Sequence, residues 1–471
     1  MKLWQPTAIA LALAAGFPSL GLAQSNEELL KEIRALRDRV NDLEAKQKAM
    51  EAKGDSGQWG MTPAQTAELN RVSVKTEALE DSREANGFMG LKISGQMQVP
   101  YIYNQAQNTS GFQFLDNVYA NGYNYYNGYL GMVMIDFQKE MEGGTKWRLT
   151  LAPQRGVGAV IDGTSIVNEA SVSVPLTDLQ TRFIAGQIPD WSGYEYLQPT
   201  QNKLITHNML FDFTLPTGYI GAGFDITSGK WGTKAMLAQL NSNANTTGFK
   251  GSVLAVRVDY SKGEYDGFGS AAVIGQAPNL VNPDAGNTNV GLIEVDGYYI
   301  RGDWTLQGQL SYGTQRKAAI TPAADGSFQN SSWYGLSTLA AYKFTPRFEG
   351  VARFDYINNA KNGGGMLGFG GAATGTNATD SDVAYGGDYK NGIGPSGTLG
   401  CGAAGVYADG CNQGANRYAL SVGMNYVFNQ YTTFKAEYRY DWSNLDVFQY
   451  NAGGSYRKYN NVLGAAVVLG F

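Results

Sequence analysis

The sequence predicts an all-β transmembrane barrel of 16 strands, with 18 as the alternative, preceded by an α-helical coiled coil. Three observations carry that reading. First, the C-terminal residues alternate. Tyr459, Asn461, Leu463, Ala465, Val467, Leu469 and Phe471 form a bulky parity, and Lys458, Asn460, Val462, Gly464, Ala466, Val468 and Gly470 a small or polar one. Period-two alternation marks a strand with two unlike faces, and one ending on an aromatic suits a wall between lipid and a lumen. Second, the same period recurs from Phe88 onward, on more strands than one sandwich core absorbs. Third, a heptad seam precedes the barrel.

Composition sets the bounds. The 471 residues include 61 Gly and 29 Tyr, with 16% charged. No run of 18 apolar residues exists, so the sequence offers no transmembrane helix. A net charge of -5 argues against a nucleic-acid partner, because phosphate binding needs a basic surplus.

The elements follow in order. Residues 1–23 read as a secretory signal peptide: Lys2 is its positive end, Ile9–Ala15 its short apolar core, and Gly21-Leu22-Ala23 its cleavage site. Residues 24–53 read as a coiled coil. Leu29, Ile33, Leu36, Val40, Leu43, Gln47 and Met50 alternate by four and three. The flanking pairs Glu32–Arg37, Arg39–Glu44 and Lys46–Glu51 all have opposite sign, as a parallel, in-register homo-oligomer requires. Residues 54–61 are a Gly-rich linker, and 62–87 a second helical segment opened by Thr62-Pro63, with Leu69, Val72, Thr76 and Leu79 in heptad spacing.

Residues 88–471 are the barrel. Trp304, Leu306, Leu310 and Tyr312 alternate with Thr305, Gln307, Gln309 and Ser311. Phe434, Ala436, Tyr438, Tyr440 and Trp442 alternate with Lys435, Glu437, Arg439 and Asp441. Aromatics near strand ends, including Tyr129, Trp147 and Phe428, read as interfacial girdles. Short connections (Glu142-Gly143-Gly144, Pro216-Thr217-Gly218, Thr345-Pro346, Asn429-Gln430) alternate with long ones (104–124, 190–206, 318–330, 359–415). A direct count gives about 17 strands, and bacterial single-chain barrels carry even numbers, so one element is misread. Parity is least defined over 205–250. Cys401 and Cys411 lie in one Gly-rich stretch of an exported chain, where a disulfide is the default.

Four strings, Asp136–Glu140, Gly143–Leu149, Glu169–Pro175 and Gln187–Tyr196, resemble a porin-like family of beta-proteobacterial outer-membrane proteins over the whole mature chain. More broadly, a heptad segment followed by a barrel is similar to trimeric porins with an N-terminal periplasmic coiled coil. Those resemblances imply a homotrimer and diffusion of small solutes. Phe471 is similar to the C-terminal aromatic read by the outer-membrane assembly machinery.

The sequence offers little chemistry for catalysis. Its one histidine, His207, has no recognisable nucleophile motif beside it, so no enzyme, cofactor or metal is expected. Asp380 and Asp382 read as a solvated acidic turn rather than a Ca²⁺ site. The segment 190–206 is the candidate constriction loop, with Asp190, Tyr194, Glu195, Tyr196 and Lys203 placed near the narrowest point; an ordinary external loop is the rival reading. Candidate lumen charges are Lys146, Arg148, Arg257, Asp259, Arg353, Asp355, Lys435, Glu437, Arg439 and Asp441, of mixed sign. The expectation is an outer-membrane porin for small hydrophilic solutes or ions, contacting membrane lipid, with its coiled coil in the periplasm. The alternatives are a structural anchor tethered to the cell wall through the coiled coil, or a barrel hydrolase.

Overall fold

A computed structural model describes residues 68–78, 87, 89–106, 108–112, 131–152, 166–216, 218–240, 251–261, 265–279, 285–319, 325, 327–359, 396–399, 410, 413–450 and 455–471. The signal peptide, the coiled coil over 24–53, Tyr129, Asp380, Asp382 and the Cys401–Cys411 pair lie outside these residues. The chain divides into two compact units, one over Pro18–Leu91 and the other holding Lys92–Phe471. In the first, residues 68–78 form an exposed helix, α1, with a Glu68–Arg71 ion pair one turn apart.

The second unit is a closed antiparallel barrel. Its strands are β1 (Leu91–Asn104), β2 (Thr109–Phe112), β3 (Val133–Glu140), β4 (Lys146–Leu151), β5 (Val167–Pro175), β6 (Thr181–Pro189), β7 (Gly218–Ser228), β8 (Trp231–Leu240), β9 (Val253–Ser261) and β10 (Asp266–Pro278). They continue as β11 (Asn287–Arg301), β12 (Trp304–Gln315), β13 (Ser331–Thr345), β14 (Phe348–Asn358), β15 (Arg417–Asn429) and β16 (Thr432–Ser443). After a small hairpin of β17 (Phe448–Tyr450) and β18 (Ser455–Arg457), β19 (Tyr459–Gly470) closes the ring on β1, with Gln96 opposite Gly470 and Asn104 opposite Val462.

The main sheet has 17 strands around 16 positions. The surplus comes from β2 and β3, which share one position. β2 pairs with the upper part of β1, from Tyr101 opposite Phe112 to Asn104 opposite Thr109. Lower down β3 takes over, beginning beside the Gln98 N–H, which donates to Met132 O at 2.7 Å. Counting the two pieces as one gives the expected even number of 16.

All long connections leave one end, and the short turns leave the other, where β1 begins and β19 ends. The turn between β3 and β4 needs glycine: Gly143 and Gly144 have φ of +80° and +82°. Pro216-Thr217-Gly218 is not a short connection. It closes the long segment 190–217 and feeds β7, so the loop extends past its expected end at 206. Within it Met209–Phe213 form a short helix, α2, capped by Asn208, whose side chain accepts from Phe211 N at 2.8 Å.

Exposure sorts the two parities. Leu463 and Phe471 are exposed, whereas Val462, Ala466 and Val468 are buried inward. Aromatic belts ring the outer face at two levels. One runs through Tyr334, Tyr356, Tyr418, Trp442, Tyr440 and Tyr459, with stacked Tyr418–Trp442 centroids 5.2 Å apart. The other, near the short turns, includes Trp231, Tyr260, Phe268, Trp304, Tyr342 and Phe344. On β12, Trp304 and Tyr312 stand eight residues apart, which is about 27 Å along a strand and about 20 Å after a 45° tilt. An apolar band between two aromatic belts, here somewhat shorter than the roughly 25 Å typical of outer-membrane barrels, suits a wall that faces lipid.

The inner face differs from expectation. Besides polar side chains, it carries an apolar stretch on β8–β13: Met236, Ala238, Leu240, Val253, Ala255, Val273, Val290, Leu292 and Trp333. These residues pack against Leu215, Trp191 and Phe211 of the 190–217 segment.

Candidate channel constriction

The segment 190–216 lies inside the barrel, and the wall side chains that meet it explain why. Gly335 and Gly423 face inward without side chains. A Cβ at Gly335 would stand 2.3 Å from Leu210 Cδ2, and one at Gly423 would stand 2.5 Å from Leu204 Cδ2. The wall therefore leaves room for the loop's leucines. Leu197, Met209, Leu210 and Phe213 bury against Met132, Met134, Ile357 and Ala419, and Ile205 against Ile102 and Val462.

Polar contacts complete the docking. The Glu437 carboxylate of β16 accepts from the backbone N–H groups of Ile205 (2.7 Å) and Thr206 (2.8 Å) and from the Thr206 hydroxyl (2.5 Å). The same stretch of backbone gives up its carbonyls. Arg353 donates to Thr206 O at 2.7 Å and His207 O at 2.9 Å, and Arg439 donates to His207 O at 2.7 Å. One wall acid and two wall arginines thus satisfy donors and acceptors that a loop away from water cannot leave open. Lys435 adds bonds to Pro199 O (2.7 Å) and Asn202 O (2.5 Å).

The five candidate constriction residues all fall in this inward segment. Asp190 accepts from Ser192 N (3.0 Å) and from the Tyr219 hydroxyl of β7. Tyr194 shares a 2.6 Å bond with Ser337, which donates in turn to Asp355. Glu195 pairs with Arg353 at 2.8 Å and accepts from Asn208 N at 2.5 Å. Tyr196 is held by Asn202, whose amide accepts from its N–H and donates to its carbonyl. Lys203 reaches Glu349 at 2.7 Å.

Burial perturbs the loop's titratable groups. Glu195 is pushed up to about 7 by burial, against the pull of Arg353. Burial likewise raises Asp190 to about 6 and Asp212 to about 8, and lowers His207 to about 3. His207 is therefore a neutral imidazole at ordinary pH. It stacks on Phe211 with centroids 4.4 Å apart, and its Nε2 lies 2.8 Å from Tyr196 O. The neighbouring Thr206 hydroxyl is already donated to Glu437.

The ten candidate lumen charges occupy inward positions but are not brought together as one group. Arg353, Asp355, Arg439 and Asp441 have no exposed side-chain surface, being enclosed between wall and loop. Arg148 pairs with Asp136 at 2.7 Å and Glu169 at 3.3 Å, and Arg257 with Asp296 at 2.6 Å and Asp259 at 2.8 Å. Lys146 and Asp259 stay open, at 52% and 43% exposure. Glu294, Asp296, Glu349 and Arg417 were not singled out from the sequence, although each lies on the inward parity of its strand and that parity would have found them. Arg417 joins Asp441 at 2.7 Å and lies over the rings of Phe213 and Phe448.

The fold and the loop define a class: a closed, bilayer-spanning barrel whose lumen holds an inward-folded connection. The chain belongs to the family described as protein of unknown function DUF3138, whose model matches residues 63–471. No curated protein matches it. Similar solved structures include the anion-selective porin of Comamonas acidovorans, at 12% identity over 81% of this chain and 99% of that one, with a TM-score of 0.48. Salmonella typhi OmpF in complex with daunomycin matches at 12% identity over 81% and 97%, with a TM-score of 0.48. In-vitro folded OmpT of Vibrio cholerae, in its trimer form, matches at 11% identity over 81% and 99%, with a TM-score of 0.47. The barrel assignment rests on the strand pairing itself.

Proposed function

We propose that the protein is an outer-membrane porin through which small hydrophilic solutes and ions diffuse passively, with residues 190–217 setting the constriction. The observation that carries this reading is the docking of residues 205–207 by Glu437, Arg353 and Arg439 inside a closed barrel. A loop fixed across a lumen narrows it without filling it. There Lys146, Asp259 and Lys234 keep 52%, 43% and 24% exposure, so water reaches them. Filtering then follows from width and fixed charge.

In this reading both barrel termini are periplasmic and the N-terminal coiled coil projects there. A homotrimer is supported by α1: Leu69 and Val72 of its heptad seam are 47% and 50% exposed in the monomer. A Cys401–Cys411 disulfide within one long loop belongs to the same proposal.

The structural-anchor reading draws on the enclosure of Arg353, Asp355, Arg439 and Asp441, which marks how closely the loop covers its half of the lumen. Conductance in planar bilayers separates the two. Stepwise ohmic insertions support the porin, and a folded barrel that never conducts supports the anchor.

A further inference from the structure

We propose that the β7–β11 wall carries a cation-binding patch that makes the passage cation-selective. This rests on the channel reading above. Its basis is where charge fails to balance along the inner face.

Three groups of charged side chains line that face. On β3–β6, Arg148, Lys146 and Arg182 stand against Asp136, Glu140 and Glu169, three of each sign, with Arg148 bridging Asp136 and Glu169. Where the loop docks, Arg353, Arg417, Arg439, Lys435 and Lys203 face Glu195, Asp355, Glu437, Asp441 and Glu349. The sixth acid there, Asp212, is a buried residue of α2 itself. Both groups are close to neutral.

The third group is different. Arg257 and Lys234 are the cations on the inward positions of β7–β11. Against them stand Asp225, Asp259, Glu294 and Asp296, with Asp190 at the start of the loop. Arg257 is shared among three acids, Asp296 at 2.6 Å, Asp259 at 2.8 Å and Glu294 at 3.6 Å. Lys234 lies 3.9 Å from Asp225. Leaving the buried Glu294 out of the count, the patch still sets four acids against two cations. A surplus of that kind in a low-dielectric wall attracts counter-ions and rejects anions.

A second, independent observation points to a ligand. Gln309 is the cross-strand partner of Asp296, and its side chain is buried. Neither its amide oxygen nor its nitrogen has a hydrogen-bond partner among the described residues. Glu294, also buried, has Arg257 Nη1 as an ion-pair partner at 3.6 Å. Gly193 of the loop sits so close that a Cβ there would stand 2.8 Å from Gln309 Oε1. The open amide oxygen of Gln309 beside surplus acids suits a hydrated monovalent cation or a primary ammonium, each of which brings donors. Trp191, tilted against Tyr219 with centroids 4.8 Å apart, adds an aromatic face already 5.9 Å from the Lys234 ammonium.

The test uses full-length mature protein in planar bilayers under a KCl gradient, repeated with methylammonium chloride. Wild type should show a cation-selective reversal potential in both salts. Asp259→Asn should lower the cation-to-anion permeability ratio about twofold, with Asp259→Lys moving it further and Asp259→Glu restoring it. Because Glu294 is buried, Glu294→Gln is read beside Asp225→Asn, a more open position on the same wall. A conducting channel with no cation preference, or one unmoved by Asp259→Lys, overturns the patch while leaving the channel reading intact. A folded barrel that never conducts overturns both.

Discussion

Glu437→Ala should release the constriction loop without unfolding the barrel. The carboxylate accepts three bonds from residues 205 and 206, two of them from backbone N–H groups at 2.7 and 2.8 Å. Each buried donor left without an acceptor costs about 1–3 kcal/mol. Removing the acid also leaves Arg353, 4.0 Å away, with one compensating charge fewer. Breaking a buried pair typically costs about 3–5 kcal/mol. At about 1.4 kcal/mol per decade, the undocked population rises between about a hundredfold and about four-thousandfold. The strand itself keeps its ladder, from Thr432 opposite Leu469 to Trp442 opposite Tyr459, so heat resistance of the barrel on gels should persist. Single-channel recording is the assay: Glu437→Ala should raise mean conductance and open-channel noise, and Glu437→Gln should fall between it and wild type. Wild-type conductance and noise in a folded Glu437→Ala barrel would refute the docking argument.

Three further outcomes follow from the same contacts. Asp212 has a carboxyl raised to about 8 by burial, so its protonated form favours the docked loop. That stabilisation is complete below the ordinary value of 3.8 and is lost as pH rises through 8, so open-channel noise should grow over that window, and Asp212→Asn should flatten the profile. Gly464→Leu should crowd Ile205, because a Cβ there already stands 2.9 Å from Ile102 Cδ1 and 3.2 Å from Ile205 Cδ1; swelling rates of proteoliposomes in small sugars should rise, with Gly464→Ala between it and wild type. In the heptad segment Arg39→Glu should weaken oligomers in light scattering and Glu44→Arg should restore them; a double variant no better than the single would discard the in-register pairing.

Much of the barrel was legible because a strand with lipid on one side and side chains or water on the other must alternate. Trp304, Leu306, Leu310 and Tyr312 are exposed, and Thr305, Gln309 and Ser311 buried, as their parity requires. Alternation fails where both faces are apolar. On β8 and β9, inward Met236, Ala238, Val253 and Ala255 are as apolar as outward Leu237 and Leu254, so periodicity cannot tell a lumen face that packs on a loop from a lipid face. It also missed β2, a short strand inside the expected connection 104–124 that shares one barrel position with β3. The loop's inward path was legible only as analogy, and its end was misplaced because Pro216-Thr217-Gly218 reads as a turn. Asn208 followed by Met209-Leu210-Phe211 was the available signal for α2. Partners were the least legible. Arg353 and Arg439 read as lumen charges from their parity, yet they bind backbone carbonyls of a segment more than 140 residues away in sequence, and no period encodes that.

The measurement that bears most directly on the constriction is single-channel conductance of the barrel with residues 194–214 replaced by a short Gly-Ser turn. Wild type should conduct in discrete steps, and the shortened protein should conduct several-fold more, because water replaces the segment that Glu437, Arg353 and Arg439 hold across the lumen. An equally heat-resistant barrel whose conductance is unchanged after the replacement would contradict the account.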